Sequence, residues 1–182
     1  MPRITPLDHA TAQGRAKDLL DAVQKTLGAT PNMTRTMARS AVLDGWLSLN
    51  GALRRGSIGV ADGERIALAV AEANECTYCL SAHAYLGASV AKLDADEIER
   101  ARRFASSDQK PAALLAFAEA VLRTKGGVHD ADVAAAREAG LSEAELGDVV
   151  GHVAVNVLTN YFNRAFEVEV DFPVVEPSLQ AA

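Results

Sequence analysis

GERIALAVAEANECTYCLSAH, residues 63–83, holds both cysteines of the chain, two residues apart, with a histidine four residues after the second. Its first half, GERIALAVAEA, is an alanine-rich apolar run, and Asp62 just before it is expected to be the N-cap, accepting from the free N–H groups of the first turn. Asparagine tolerates the left-handed conformation that ends many helices. Asn74 therefore predicts a tight connection at ANE and a second helix over CTYCLSAHAYLGA, closed by Gly87. The stretch reads as a helical hairpin with a Cys–Cys–His group on its second arm.

The same periodicity continues on both sides. Ala16, Leu19, Leu20, Val23 and Leu27 recur at helical spacing within 11–27, and Gly28 and Pro31 end that run. A helical stretch over 32–55, broken near Ser40, carries Trp46, Leu47 and Leu53. Asp94 followed by Glu97 makes a near capping box, Pro111 fits the first turn of PAALLAFAEAVLRTK, and Gly126 and Gly127 stop it. Residues 130–139 form a short helix, and Ser142 with Glu145 opens a long one towards Phe166. Pro173 and Pro177 predict an extended tail. EVEVDF is the sole alternating segment. The chain is thus expected to be all-α: one domain over 1–182, with a core at about 43–123 and a closing helix and tail at about 142–182.

Composition narrows the function classes. The 182 residues are 49% hydrophobic but only 5% aromatic, which favours closely packed helices over a strand-rich sandwich. With 24 acidic and 18 basic residues and a net charge of -6, the chain has no basic tract suited to nucleic acid. MPRITPLDHA lacks an apolar signal region, and no uninterrupted apolar run approaches the roughly 20 residues of a bilayer span. A cytoplasmic protein is expected, with no nucleic-acid or membrane partner. Two cysteines are too few for a secreted disulfide framework; in a reducing compartment a close pair is more often redox-active or metal-binding.

On a helix turning about 100° per residue, Cys76, Cys79 and His83 project from one face within about 60°. Residues one turn apart lie close enough for a disulfide to open and close without large backbone movement, and His83 lies within reach of the Cys79 sulfur. If the helix starts near Cys76, its free N–H groups and dipole favour a thiolate, the reactive species. Glu64 sits about ten residues before the turn and His83 about seven after it, so at 1.5 Å per residue their heights differ by roughly 5 Å. Side chains span that gap. A carboxylate on one imidazole nitrogen would fix the tautomer, raise the basicity of the other nitrogen and complete a Glu–His–Cys proton relay.

A glutamate, eleven residues, then C-x-x-C-x-x-x-H is the register of Glu64, Cys76, Cys79 and His83. In this register the chain resembles the alkylhydroperoxidase D-like, peroxidase-related members of the carboxymuconolactone decarboxylase superfamily. The resemblance extends from about Leu43 to Arg123 and, more loosely, to HVAVNVLTNYFNRAFEVEVDFP. It implies a thiol-dependent hydroperoxide reductase in which Cys79 is oxidised to sulfenic acid, Cys76 closes the disulfide, and Glu64 and His83 relay protons. It also implies a homo-oligomer, a trimer or hexamer, with electrons drawn from an external dithiol, dihydrolipoyl or a redoxin, and no haem, flavin or metal cofactor. Some members have a second histidine between the cysteines. Tyr78 stands there in this chain, and its phenol is expected to be an orienting hydrogen-bond donor.

Other readings compete. A zinc site wants about four ligands, and only three candidates are visible. A thioredoxin-like fold would need a strand leading into the cysteines, and none is predicted. A decarboxylase-type lyase generally does without the cysteine pair, and a non-catalytic redox switch or interaction protein would keep it without peroxide turnover. His9 and His129 beside acidic neighbours read as solvated, Arg54 and Arg55 as a solvated face, and Trp46 as a core or interface anchor. His152, Asn156, Asn160 and Asn163 form a polar stripe on an apolar helix. The stripe reads as interhelical or subunit-interface hydrogen bonding; the sharper alternative is that it lines the way into the cysteine site.

Overall fold

A computed structural model describes residues 2–178. Among them the chain forms nine helices and no strand: α1 (Gly14–Leu27), α2 (Asn32–Met37), α3 (Val42–Leu53), α4 (Val60–Ala73), α5 (Thr77–Ser89), α6 (Ala95–Ala101), α7 (Gln109–Thr124), α8 (Asp130–Glu138) and α9 (Glu143–Phe166). The all-α expectation holds, including the break near Ser40, which falls between α2 and α3. The tail is extended as far as Ser178, and residues 179–182 of the segment expected to be extended lie outside the described residues.

Helix α4 is the centre. Residues 65–72 are all buried, and the helix packs against α5, α6, α7 and α9. A helix surrounded on every side must be apolar all round, and Ile66, Leu68 and Val70, alternating with Ala67, Ala69 and Ala71, meet that demand with side chains small enough for close neighbours. On one side Ile66 and Val70 join Leu114, Leu115, Val149 and Val153 of α7 and α9 in one core cluster. On the other, Leu68 and Ala71 join Leu80, both cysteines and Val168. A third cluster, built from Leu19, Leu20, Val23, Met37 and Leu43, knits α1 to α2 and α3.

Two charged residues interrupt the buried stretch 65–72 of α4, and both are paired with α6 or the residue after it. Arg65 Nε donates to Glu97 at 2.8 Å, and Arg102 Nε donates to the fully buried Glu72 at 2.7 Å. Glu72 also accepts from the backbone N–H of Ser178 at 2.6 Å, which ties the tail to the core. Asp94 caps α6 by accepting from Glu97 N at 2.7 Å, but the Glu97 carboxylate turns to Arg65, Arg100 and Ser106 rather than back to the cap. The box expected there is half formed for that reason.

Two further local expectations shift by a few residues. Gly59 is the N-cap of α4, and Asp62 lies in its first turn, where it takes Arg65 Nη1 at 2.9 Å. The left-handed residue of the hairpin is Glu75 (φ 52), not Asn74. Glu75 N donates to Glu72 O and Cys76 N to Ala71 O, each at 2.9 Å, which is the double closure of a Schellman turn. Asn74 keeps right-handed geometry and donates from Nδ2 to Asn160 of α9 at 2.9 Å. The Ser142–Glu145 box at the start of α9 forms in full.

Burial opposes ionisation of Glu97, yet hydrogen bonds from Ser106, Arg65 and Arg100 outweigh it and hold the carboxyl at about 2, below its ordinary 4.5. A carboxyl depressed in the folded state contributes stability above its unfolded value and loses it as pH falls towards the folded one. The melting temperature is therefore expected to drop between about pH 4.5 and 2. Circular dichroism melts of Glu97→Gln should show a lower melting temperature at neutral pH and a flatter acid limb than the wild type.

Candidate functional site

Cys76 is the N-cap of α5, and its sulfur accepts from Cys79 N at 3.2 Å. The Schellman turn delivers the chain to this point in extended geometry, so the first turn of α5 opens directly on the cysteine pair. The two are joined in a disulfide with Cα atoms 5.3 Å apart. Both are nearly inaccessible, Cys76 at 1% and Cys79 at 3%. The one-face reading of the motif gave no hint of that burial, because the covering comes from α9 and the tail, far away in sequence.

Glu64 of α4 and His83 of α5 meet as the hairpin register predicts. Nδ1 of His83 lies 2.8 Å from Glu64 Oε2, with both side chains about a fifth exposed (23% and 18%). A carboxylate can only accept, so Nδ1 carries the hydrogen, and the neutral ring in this tautomer presents the lone pair of Nε2. Glu64, His83 and Cys79 all line one cavity of about 390 Å³, with Trp46, Leu86 and Phe172 among its apolar walls and Arg54 at its edge.

Helix α9 supplies the facing wall. His152, Asn156 and Asn163 line the cavity, which favours the sharper of the two readings of the polar stripe. Asn160 instead serves the interhelical bond to Asn74. Asn163 Nδ2 donates to Cys79 Sγ at 3.2 Å, a contact between residues 84 positions apart. Among the described residues, Asn163 Oδ1 and His152 Nε2 are buried without a partner. Burial holds His152 below its ordinary pKa against the pull of Asp148 and Glu64, so its ring is neutral at pH 7. Its close approach to α4 depends on Gly63: a Cβ there would stand 3.3 Å from the His152 ring.

The Tyr78 phenol was expected to orient the cysteine site; its bonds run away from His83 and Glu64. Its hydroxyl donates to Asp171 Oδ1 at 2.9 Å and accepts from Met33 N at 3.2 Å, and its ring meets Phe172 edge-on at 5.9 Å. Asp171 also accepts from Asn32 N at 2.7 Å. Tyr78 thus fastens the tail and the start of α2 to α5, closing one wall of the cavity. Thr77 to Glu176 at 2.8 Å and Val175 N to Ser81 at 2.9 Å continue the strap. The tail residues Asp171 and Phe172 carried no signal in the sequence beyond lying in an extended segment.

The remaining candidates fall away from the site. His9 is not simply solvated: its Nε2 pairs with Asp21 at 2.7 Å. His129 is the exposed N-cap of α8. Among the described residues no group of three His, Cys, Asp or Glu is placed to hold a metal ion, and no helix is long and apolar enough to cross a membrane.

Burial holds the Tyr78 hydroxyl protonated far above its ordinary pKa, with the Asp171 charge acting in the same sense. Removing that hydroxyl in Tyr78→Phe is expected to cost about 1–2 kcal/mol in chemical denaturation. Amide exchange should quicken in residues 168–178 and stay as in the wild type in α7 and α8.

Residues 40–123 match the sequence model of the carboxymuconolactone decarboxylase family. No curated protein matches the chain. Among solved structures, a peroxidase-related protein from Ralstonia eutropha JMP134, described as an alkylhydroperoxidase AhpD core, superposes with a TM-score of 0.83 at 22% identity, over 93% of this chain and 92% of that one. A peroxidase-related protein from Silicibacter sp. TM1040 gives 0.76 at 23% identity over 91% of each chain. The debrominase Bmp8, solved as a cysteine-to-alanine variant with 2,3,4-tribromopyrrole, gives 0.76 at 19% identity over 92% of this chain and 91% of that one. At these identities the shared property is the fold.

Proposed function

We propose, from the match of residues 40–123 to the sequence model of the carboxymuconolactone decarboxylase family, that the chain is a thiol-dependent hydroperoxide reductase, with Cys79 as the attacking thiol, Cys76 as the resolving thiol and Glu64–His83 as the proton relay. The observation that carries this reading is the 2.8 Å contact of His83 with Glu64 on the wall of the cavity that holds Cys79.

His83 Nε2, in the tautomer that the carboxylate on the opposite nitrogen fixes, takes the Cys79 proton. The thiolate attacks the terminal oxygen of the hydroperoxide, the O–O bond breaks, and the alkoxide leaves as an alcohol by recovering that proton from His83. Cys79 is then a sulfenic acid. Cys76, deprotonated in turn, attacks its sulfur and forms the disulfide; hydroxide leaves and takes the proton as water. The substrate gains two electrons, the cysteine pair loses two, and an external dithiol restores them. The Asn163 amide and the first turn of α5 supply donors to the two sulfurs, which stabilises them as thiolates.

A second reading uses the same electrons. The apolar walls around Trp46, Leu86 and Phe172 suit a flat organic ring, and the fold likeness to a debrominase brings in reductive dehalogenation. Cys79 would then take bromine from carbon, the carbon would gain a proton, and Cys76 would displace bromide as the disulfide forms.

Thiol titration with mass spectrometry separates the two. One equivalent of cumene hydroperoxide is expected to consume both thiols and yield the Cys76–Cys79 bond; thiols that survive excess hydroperoxide but disappear with bromide release from a brominated pyrrole would favour the second reading. Cys79→Ser should abolish peroxide consumption, whereas Cys76→Ser should allow one oxidation of Cys79 without turnover. Glu64→Gln should slow thiol oxidation by about 10²-fold, and an unchanged rate would leave Glu64 as a helix-start residue.

A further inference from the structure

The disulfide stands in a partition between two hollows. Cys79, but not Cys76, lines the 390 Å³ cavity. Cys76, but not Cys79, lines a second, more open depression of about 220 Å³, walled by Thr77, Val168 and Val170. Tyr78 and Asn163 line both and form the wall between them. That wall is fixed: Tyr78 is held by Asp171 and Met33, and Asn163 by the Cys79 sulfur.

Resting on the thiol chemistry above, we infer that the two half-reactions use opposite sides of this partition: the oxidant meets Cys79 from the cavity, and the dithiol reductant meets Cys76 from the depression. Attack on a disulfide runs along the sulfur–sulfur axis, and the rate depends on access to the attacked sulfur and on the stability of the departing thiolate. A reductant thiolate entering the depression bonds to Cys76 Sγ and breaks the sulfur–sulfur bond. Cys79 departs as a thiolate into the cavity, where the Asn163 amide is placed to donate to it. The second thiol of the reductant loses its proton to Cys76, attacks its own half of the mixed disulfide and leaves as a cyclic disulfide. Cys79 is re-armed without the reductant entering the substrate cavity.

The rim of the depression also selects. Arg164 pairs with Glu75 at 3.2 Å, and Glu167 pairs with Arg3 at 2.6 Å, so the ionic groups beside Cys76 are already satisfied. With valine walls beneath them, the depression fits an uncharged aliphatic dithiol.

Val60 lies at the cavity and is exposed, and Val170 lies at the depression and is half-buried. The test uses Val60→Phe and Val170→Phe, each checked for folding by circular dichroism, with the two half-reactions followed separately by thiol titration. Val60→Phe is expected to slow oxidation by cumene hydroperoxide about tenfold and leave reduction by dithiothreitol unchanged; Val170→Phe should do the converse. Both variants slowing the same step, or a Val60→Phe that slows reduction, would overturn the inference. If the wild-type thiols ignore hydroperoxide, the peroxidase reading fails. The disulfide is then formed with diamide, and the reduction arm alone decides: slowed by Val170→Phe and not Val60→Phe supports two-sided access, and any other result overturns it.

Discussion

Residues 74–76 set the phase of α5 against α4. Because the turn closes with Cys76 N on Ala71 O and Glu75 N on Glu72 O, the second helix starts at a fixed height and rotation relative to the first. Those two quantities place His83 opposite Glu64 and leave Cys76 at the helix start, where the sulfur accepts Cys79 N. A different turn would rotate the cysteines away from the imidazole. The strain of a non-glycine residue at φ 52 is held in place by the neighbouring contacts: the Glu75 carboxylate meets Arg164, which also donates to Asn74 O at 2.6 Å.

Helix α4 bears the other half of the constraint. A buried helix can carry ions only if each is paired, and α6 carries Glu97, with Arg102 just after it, as partners for Arg65 and Glu72. Glu64, the residue just before Arg65, leaves α4 on another face and reaches the cavity. The packing therefore separates two tasks around a single helix: charges that hold it against α6, and a carboxylate that meets α5.

The hairpin and the contact of Glu64 with His83 were legible because they depend on local arithmetic, a helical rise and a turn of known length. The long helix α9 was legible from Ser142 and Glu145. Its stripe of His152, Asn156 and Asn163 showed as a pattern, but its partners did not, since the contact of Asn163 with Cys79 spans most of the chain. The role of Tyr78 depends on Asp171, and an extended segment has no periodicity to say where it will lie. The cap of α4 was misread for a smaller reason: Asp62 is a good capping residue, but Gly59 allows the helix to begin three residues earlier, and Arg65 then claims the carboxylate.

The cysteine bridge joins residues three apart. In the chain-entropy account, a loop this short restricts the unfolded chain by only about 2 kcal/mol, against nearly 5 for one closing a hundred residues. Opening it therefore removes little of what keeps the helices together. Were the bridge to cycle, the polypeptide would pass between electron-rich and electron-poor forms with its architecture nearly indifferent to which one it holds.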